Sequence, residues 1–228
     1  MCIRDRLLPV KDRLGDRSYK NCIALHELCD GKKLNLTKCR RSDDELFNML
    51  LPENINSIDT KKFGVKFTKQ HVSFTNAKRI QINNIMMEKV VQEKKKRPLL
   101  LEKLKWEKNS QRVKLLPTMP IIARMNNKDL DICNNEMFII KKITDDDIII
   151  YEEDENFPGD PKKAISEFTI PIYKFQKMFY VAYCITVHKS QGSTFRHEYT
   201  IHEFEKFDNR LKYVALSRSS NIKHINIC

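Results

Sequence analysis

Polar side chains of several chemical types follow directly after an apolar, strand-like run, Val181 to Val187. They carry hydroxyl, imidazole, ammonium and amide groups, and they belong to Thr186, His188, Lys189, Ser190 and Gln191. Gly192 comes next, and because it lacks a Cβ it lets the backbone turn or approach a ligand closely. Open α/β sheets bind their ligands beyond the carboxyl ends of buried strands. This stretch therefore predicts a binding site.

A second segment with chemical potential begins about twenty residues later. It runs from Lys212 to Ser220, KYVALSRSS, and places one arginine, Arg218, between two serines. The pattern around it predicts a helix capped by Asp208, followed by a turn into a closing strand. Considered alone, Arg218 could reach a ligand or form a salt bridge at the helix end.

In this order and at this separation, the two segments resemble conserved motifs of superfamily 1 helicases in the RecD/Dda-like branch, the 5′-to-3′ DNA motors. TVHKSQGSTF is similar to motif V and YVALSRS to motif VI. Three earlier segments also resemble the family: 36–50 (motif IV), 74–83 (TN-x-x-x-x-x-N) and 117–136 (G-M-P-x followed by N-G-E). Leu7 to Val10 looks like the tail of motif III, so the resemblance covers nearly the whole chain.

The resemblance implies an α/β fold, a second RecA-like (P-loop NTPase-like) domain with a parallel sheet, interrupted by a small SH3-like β-barrel insertion. The implied divisions are 1–17 as the tail of a first motor domain, 18–113 as the start of the second RecA-like domain with a basic linker, 114–175 as the insertion and 176–228 as the remainder. Residues 1–6, MCIRDR, depart from the family pattern, as a sequencing or assembly artefact would.

A helicase motor needs a phosphate-cradling loop, G-x-x-x-x-G-K-[ST], and a carboxylate for magnesium. The five glycines, at positions 15, 31, 64, 159 and 192, cannot form that loop. We therefore interpret the chain as the carboxyl-terminal half of a motor whose partner is the first RecA-like domain. ATP and Mg²⁺ would be bound mainly by that other half, and no metal ligand is predicted here.

The resemblance also implies roles for individual residues. The catalytic arginines would be Arg218 and Arg40, which stabilise charge on the transferring γ-phosphoryl group. Nucleotide contacts fall on Gln191, Gly192 and, at a position that is often Gln in relatives, Arg41. Contacts to the phosphates of single-stranded DNA fall on Thr186, His188, Lys189, Ser190, Thr75 and Asn76.

The residues themselves leave local alternatives open. Arg40 and Arg41 precede a predicted S-x-x-E capping box, Ser42 to Glu45, and could be surface arginines beside acidic neighbours instead of phosphate ligands. Thr75 and Asn76 are equally natural as ordinary N-cap residues of the helix that follows.

The single tryptophan, Trp106, lies in a lysine-rich stretch. Base stacking is conceivable for it. Its spacing from Leu101 and Leu104 favours a core position instead.

Short β-branched runs separated by Asn and Asp predict antiparallel strands between about Met119 and Ile172. Asn135 stands where the family usually has Gly, and Asn can adopt the left-handed conformation that such a turn needs. This region corresponds to the implied SH3-like insertion.

Composition is consistent with an anionic partner. The chain of 228 residues carries a net charge of +12, and ten Lys or Arg against four Glu lie between Glu88 and Lys114. Nucleic acid is the predicted partner, and no membrane segment or signal peptide is apparent. Seven scattered cysteines without a C-x-x-C pair predict reduced thiols in a soluble, intracellular protein.

The predicted function is the carboxyl-terminal portion of an ATP-dependent DNA helicase that couples ATP hydrolysis to translocation on single-stranded DNA and to duplex unwinding. The chain alone is expected to lack ATPase activity. The alternative is a non-catalytic nucleic-acid-binding or accessory module derived from a helicase. That alternative explains the charge, but it gives no reason for two candidate arginine fingers and a complete motif V.

Overall fold

A computed structural model describes residues 23–28, 30, 42–154, 156–157 and 159–228. The predicted roles of Arg40 and Arg41 and the motif III tail at 7–10 lie outside these residues. The chain divides into two compact units. The first unit contains the described residues up to Phe67 together with Ser190–Cys228, and the second unit is Thr68–Lys189.

Within the described residues the α-helices are α1 (Ile23–Leu28), α2 (Asp44–Met49), α3 (Asn76–Lys94), α4 (Ile172–Met178) and α5 (Asn209–Leu216). The strands are β1 (Gln70–Ser73), β2 (Leu99–Leu101), β3 (Val113–Leu115), β4 (Pro120–Ala123), β5 (Met137–Ile143), β6 (Asp147–Glu152), β7 (Ser166–Pro171), β8 (Phe179–Val181), β9 (Cys184–Thr186), β10 (Tyr199–Ile201) and β11 (Ile225–Ile227). Short 3-10 helices cover Ile55–Ser57, Thr60–Lys62, Pro161–Lys163, Phe204–Lys206 and Ile222–His224.

In the first unit, β10 and β11 pair in parallel, with Tyr199 opposite Ile225. Helix α5 begins as predicted, because the Asp208 side chain accepts a hydrogen bond from the Leu211 amide at 2.8 Å. The fully buried Tyr199 donates its hydroxyl to the Ala215 carbonyl at 2.7 Å, which fixes the end of α5 against the strand pair.

In the second unit, β1 and β9 also pair in parallel, with His71 opposite Cys184 and Ser73 opposite Thr186. Helix α3 starts directly after β1, and the Thr75 hydroxyl caps it by accepting from the Lys78 amide at 3.1 Å. Strand, capped helix and parallel neighbour are the arrangement predicted for an α/β fold with a parallel sheet.

The region from Pro120 to Val181 forms a five-stranded antiparallel sheet of order β7-β6-β5-β4-β8. Its core includes Phe138, which contacts Phe168 and Phe179 edge to face with ring centroids 5.7 and 5.9 Å apart. Asn135 has φ of 74°, so the left-handed turn expected at this position is confirmed. The antiparallel strands were predicted from the sequence, while the SH3-like closure stays a prediction.

The single strand predicted from Val181 to Val187 is wrong, because the structure divides it between β8 and β9. Val181 pairs with Ile121 of β4, whereas Cys184 pairs with His71 of β1. The chain changes partner across Ala182 and Tyr183. Every residue from Val181 to Val187 is buried, and the run is almost entirely apolar. It therefore contains no change of hydrophobic pattern that would mark the end of β8 and the start of β9.

Two other local predictions need correction. The N-cap of α2 is Asp43, whose Oδ1 accepts from the Leu46 amide at 2.7 Å, so the helix starts one residue later than the Ser42–Glu45 capping box requires. Trp106 is 75% exposed and does not lie in the core. Residues 102–112 form a loop between β2 and β3, so the apparent helical spacing creates no apolar face.

None of the described helices is both long and apolar enough to cross a membrane.

Candidate nucleic-acid and nucleotide site

The motif V segment, Thr186 to Gly192, begins at the last residue of β9 and continues as turns. The Val187 amide donates to the Ser73 carbonyl at 2.9 Å, which ties the start of the turn to β1. Thr186 is buried, His188 is exposed and Lys189 is partly buried. The polar groups therefore follow the carboxyl end of a parallel strand, as the sequence predicted.

Gly192 ends the segment with φ of 97°, a conformation that L side chains rarely adopt. A Cβ at this position would meet no atom within 4 Å. The backbone conformation therefore favours glycine at this position, and the open space beside it leaves room for a ligand. Gln191 beside it is partly exposed.

Arg218 joins the motif VI segment to the motif V segment within the first unit. Its side chain is only 3% exposed. Nη1 donates to the carbonyls of Ser190 and Ser193 at 3.3 and 3.1 Å. Nε donates to the Val214 carbonyl at 2.8 Å, and Nη2 donates to the Ser217 hydroxyl at 2.8 Å.

These four acceptors of Arg218 are neutral oxygens, and together they hold the guanidinium in place. An arginine held in this way can exchange a carbonyl for a phosphate oxygen, which binds a guanidinium more strongly. Ser190, predicted as a DNA contact, is fully buried and presents its carbonyl to Arg218.

Asp43 ties the segment that resembles motif IV to the residues just after Arg218. Its amide donates to the Ser220 carbonyl at 2.9 Å, and its Oδ2 accepts from the Ile222 amide at 2.8 Å. From the sequence, this aspartate was expected only to be an acidic neighbour of Arg40 and Arg41. The sequence signal for its role is that an aspartate directly before a predicted helix is a preferred N-cap residue.

Thr75 and Asn76 both serve the start of α3. Thr75 is its N-cap, and the Asn76 Oδ1 accepts from Arg79 Nε at 3.0 Å. The N-cap alternative is therefore confirmed for Thr75. Contacts of either residue with DNA phosphates stay a prediction.

Arg79 is a buried cation that the sequence analysis missed. Only 2% of it is exposed, and burial lowers the pKa of its guanidinium. Nη1 donates to Gln111 Oε1 at 3.3 Å and Nη2 to the Asn109 carbonyl at 2.8 Å. The guanidinium also lies 4.4 Å from the ring centre of Tyr180, and Arg124 lies 4.2 Å from the same ring.

Lys189 belongs to the same electrostatic neighbourhood. Its Nζ donates to Asn135 Oδ1 at 2.8 Å. Burial lowers the pKa of its ammonium, and the charges of Arg124 and Arg79 lower it further. We call Arg79, Arg124 and Lys189 the basic cluster. Arg124 is itself paired with Glu107 at 2.6 Å. The positive charges that act on Lys189 favour an anion near its ammonium.

Among the described residues, no group of three or more His, Cys, Asp or Glu side chains could hold a metal ion. The contacts present in this part of the chain are those suited to phosphate oxygens: guanidinium, ammonium, hydroxyl and a glycine turn. The structure brings Arg218 together with the motif V segment and links Asn76 to Arg79. Sequence reasoning could not find Arg79, because its partners lie about thirty residues away in a loop.

No protein-family model matches the sequence, and no curated protein matches it. Solved structures do match by fold. The crystal structure of Bacteroides Pif1 bound to ssDNA has a TM-score of 0.59 at 18% identity, covering 85% of this chain and 51% of that one. Bacteroides Pif1 helicase in complex with ADP-AlF3 and ssDNA has a TM-score of 0.54 at 20% identity, with coverage of 85% and 51%.

Pif1 helicase from Candida albicans has a TM-score of 0.57 at 12% identity, covering 81% of this chain and 53% of that one. The chain thus spans about half the length of these helicases. At such low identity the likeness is one of fold. The α/β fold with its parallel sheet matches the second RecA-like domain of Pif1 helicases.

Proposed function

We propose that this chain is the carboxyl-terminal portion of a superfamily 1, ATP-dependent DNA helicase of the RecD/Dda-like branch. In the intact protein it would couple ATP hydrolysis to translocation on single-stranded DNA and to duplex unwinding. The observation that carries the proposal is Arg218, whose guanidinium binds the carbonyls of Ser190 and Ser193 in and after the motif V segment. The fold likeness to helicases supports it.

The residues present fit a triphosphate bound between this domain and a first RecA-like domain. ATP, with Mg²⁺ held mainly by that other domain, supplies the transferable γ-phosphoryl group. Arg218 and Arg40 would stabilise the negative charge that develops on it, and such an arginine contributes about three to five orders of magnitude in rate. Gln191 and the open turn at Gly192 would lie against the nucleotide, with Arg41 as a further contact.

The motif V segment could couple the binding of nucleotide to the binding of DNA. When Arg218 turns towards a phosphate, it gives up hydrogen bonds to Ser190 and Ser193, so the motif V segment is released from helix α5. Thr186, His188 and Lys189 lie in the same segment and would contact DNA phosphates, together with Thr75 and Asn76. The bound nucleotide would thereby change the affinity for DNA. The γ-phosphate would favour the conformation in which Arg218 contacts it, and so shift the population between two conformations of the motif V segment.

A motor of this kind acts on DNA inside the cell, and we expect the protein to be soluble there. Its phosphate contacts carry no sequence information, so it would move along single strands of any sequence. Steady-state phosphate release from the purified 228 residues alone should be at background level.

The second candidate is a nucleic-acid-binding module without catalysis. The basic cluster favours it, since Arg79 and Arg124 flank the Tyr180 ring and both act on the charge of Lys189, and phosphate binding by cations needs no nucleotide. Such a module has no need for an arginine that senses a γ-phosphate. Arg218 therefore discriminates between the two functions.

The test is to fuse the chain to the first RecA-like domain of a related helicase and measure phosphate release with and without single-stranded DNA. Wild type should show DNA-stimulated hydrolysis, and Arg218→Ala and Arg218→Lys should reduce it by about a thousandfold or more, on the order expected for an arginine finger. Arg210→Ala is the control, because Arg210 is an exposed arginine of α5, the helix that precedes Arg218.

Arg218 is buried, so its variants need a folding control. Circular dichroism and thermal melting would identify conditions in which each variant remains folded, and rates would be compared there. Folded Arg218 variants with wild-type hydrolysis would contradict the helicase function and favour the binding module.

A further inference from the structure

The loop between β2 and β3, residues 102–112, presents the single tryptophan to solvent. Trp106 is 75% exposed and lies in a turn. A tryptophan is a large apolar surface that folding usually buries, so its display by an ordered part of the chain calls for an explanation.

The loop that presents Trp106 is fixed at several points. The Ser110 hydroxyl accepts from the Leu104 amide at 2.9 Å. Arg79 donates to the Asn109 carbonyl at 2.8 Å, and Arg124 pairs with Glu107 at 2.6 Å, with both side chains largely buried. The indole is therefore held out by a braced loop, which lowers the entropy lost when a ligand contacts it.

The charge around Trp106 is positive. The two acids of the loop are paired, Glu102 with Arg112 at 3.0 Å and Glu107 with Arg124. The exposed cations that remain are Lys103, Lys105 and Lys108. None of these three lysines forms an ion pair with another of the described residues. Aromatic surface interleaved with free lysines is the composition of a site that stacks bases and holds the backbone of a single strand.

The loop is also connected to residues already predicted to contact DNA. Arg79 binds the loop at Asn109 with one nitrogen and binds Asn76 Oδ1 with another, at 3.0 Å. Asn76 belongs to the TN-x-x-x-x-x-N segment. Single-stranded DNA that contacts Asn76 at the start of α3 would therefore lie close to the loop that carries Trp106, because Arg79 binds both.

We propose that Trp106 stacks on a base of bound single-stranded DNA, with Lys103, Lys105 and Lys108 on the adjacent phosphates. This inference rests on the proposed function, and it adds a contact outside the helicase motifs. A protein partner fits less well, because the sequence neighbours of Trp106 are Lys105 and Glu107 instead of other apolar groups.

The test uses two readouts on the 228-residue chain. Because Trp106 is the only tryptophan, its fluorescence reports directly on stacking when an oligothymidylate is added. Anisotropy of a labelled oligothymidylate measures binding independently. We expect quenching of the wild type and about five- to hundredfold weaker binding for Trp106→Ala, with most affinity retained in Trp106→Phe.

Tyr173→Ala is the matched control, since Tyr173 is 73% exposed and also lies beside a lysine, Lys174. It should bind like wild type, and all variants should melt at the wild-type temperature because both side chains are exposed. DNA binding with unchanged Trp106 emission, or a Phe variant as weak as the Ala variant, would overturn the inference and leave the proposed function standing; the indole would then serve a protein partner. Absence of DNA binding by the 228-residue chain would overturn this inference, whereas the proposed function fails only if the fused protein lacks DNA-stimulated hydrolysis.

Discussion

Asn83 uses both polar atoms of its side chain to hold α3 on β9. Nδ2 donates to the Cys184 carbonyl at 3.0 Å, and Oδ1 accepts from the Cys184 amide at 2.8 Å. The residue is completely buried. It therefore satisfies two backbone groups at the start of the strand that leads into the motif V segment.

We expect Asn83→Ala to lower the free energy of unfolding by roughly 2 to 4 kcal/mol, because it leaves a buried donor and a buried acceptor without partners. Urea denaturation followed by circular dichroism measures this. Asn84→Ala is the matched control on the same helix, because Asn84 is exposed and accepts one hydrogen bond, from Gln111 at 3.2 Å. Equal destabilisation by the two variants would contradict the role given to Asn83.

Residues whose partners are close in sequence were the predictable ones. Asp208 caps α5 and Thr75 caps α3 through amides three residues further on, and Gly192 has the positive φ that only its type tolerates easily. Asn83 finds its partner 101 residues away. No local pattern encodes such a contact, so its role becomes apparent only in the fold.

At the scale of elements, helix α2 depends on Asp43 for its position. The aspartate caps the helix and also binds the backbone of Ser220 and Ile222, on the far side of Arg218 in sequence. The helix that follows Arg40 and Arg41 is thereby held next to the motif VI segment.

Asp43→Ala should lower the free energy of unfolding by about 1 to 3 kcal/mol, since an N-cap contributes about 1 kcal/mol and the Ile222 amide loses its acceptor as well. Thermal melting and urea titration measure the loss. Asp59→Ala removes the exposed cap of a short 3-10 helix, where only the Lys61 amide is bound, and should cost less. If Asp43→Ala is as mild as Asp59→Ala, the tether to residues 220–222 does not contribute to stability.

The motif V turn offers a second comparison between elements. Gly192 and Gly159 have φ of 97° and 83°, and a Cβ at either position would meet no atom within 4 Å. Substitution by Ala should therefore cost each turn about 1 to 2 kcal/mol through backbone strain alone. Only Gly192→Ala should also slow DNA-stimulated phosphate release in the fused protein. Equal effects of both variants on that rate would show that the motif V turn has no special part in hydrolysis.

Helices and strands with a clear hydrophobic periodicity were predicted from the sequence. The point at which the chain changes from one neighbouring strand to another was not. Helix α3 and strands β5 and β6 carry the expected patterns and lie where predicted. The run from Val181 to Val187 is buried throughout, and it serves an antiparallel sheet at one end and a parallel pair at the other. Apolar residues satisfy both environments equally, so composition alone does not mark the boundary.

At the scale of the whole molecule, charge determines how the protein should respond to salt. The net charge is +12, and the seven acidic residues between Asp145 and Glu155 are confined to a stretch that contains no base. Positive charge is thus concentrated elsewhere, and it includes Lys189 and the exposed lysines of the loop around Trp106. Binding to phosphates releases condensed counterions, which makes affinity fall linearly with salt on logarithmic scales.

We expect binding of single-stranded DNA to be independent of base sequence and strongly weakened by salt, because phosphate contacts and base stacking both tolerate any sequence. Anisotropy titrations of oligothymidylate and a mixed-sequence oligonucleotide at several salt concentrations measure both properties. Lys189→Gln should reduce the slope of log affinity against log salt by about 1, whereas Lys142→Gln, an exposed lysine of β5, should leave it unchanged. If Lys189→Gln does not alter the slope, Lys189 does not contact DNA phosphates. If affinity depends strongly on base sequence, the protein does not act as a motor that moves along any strand.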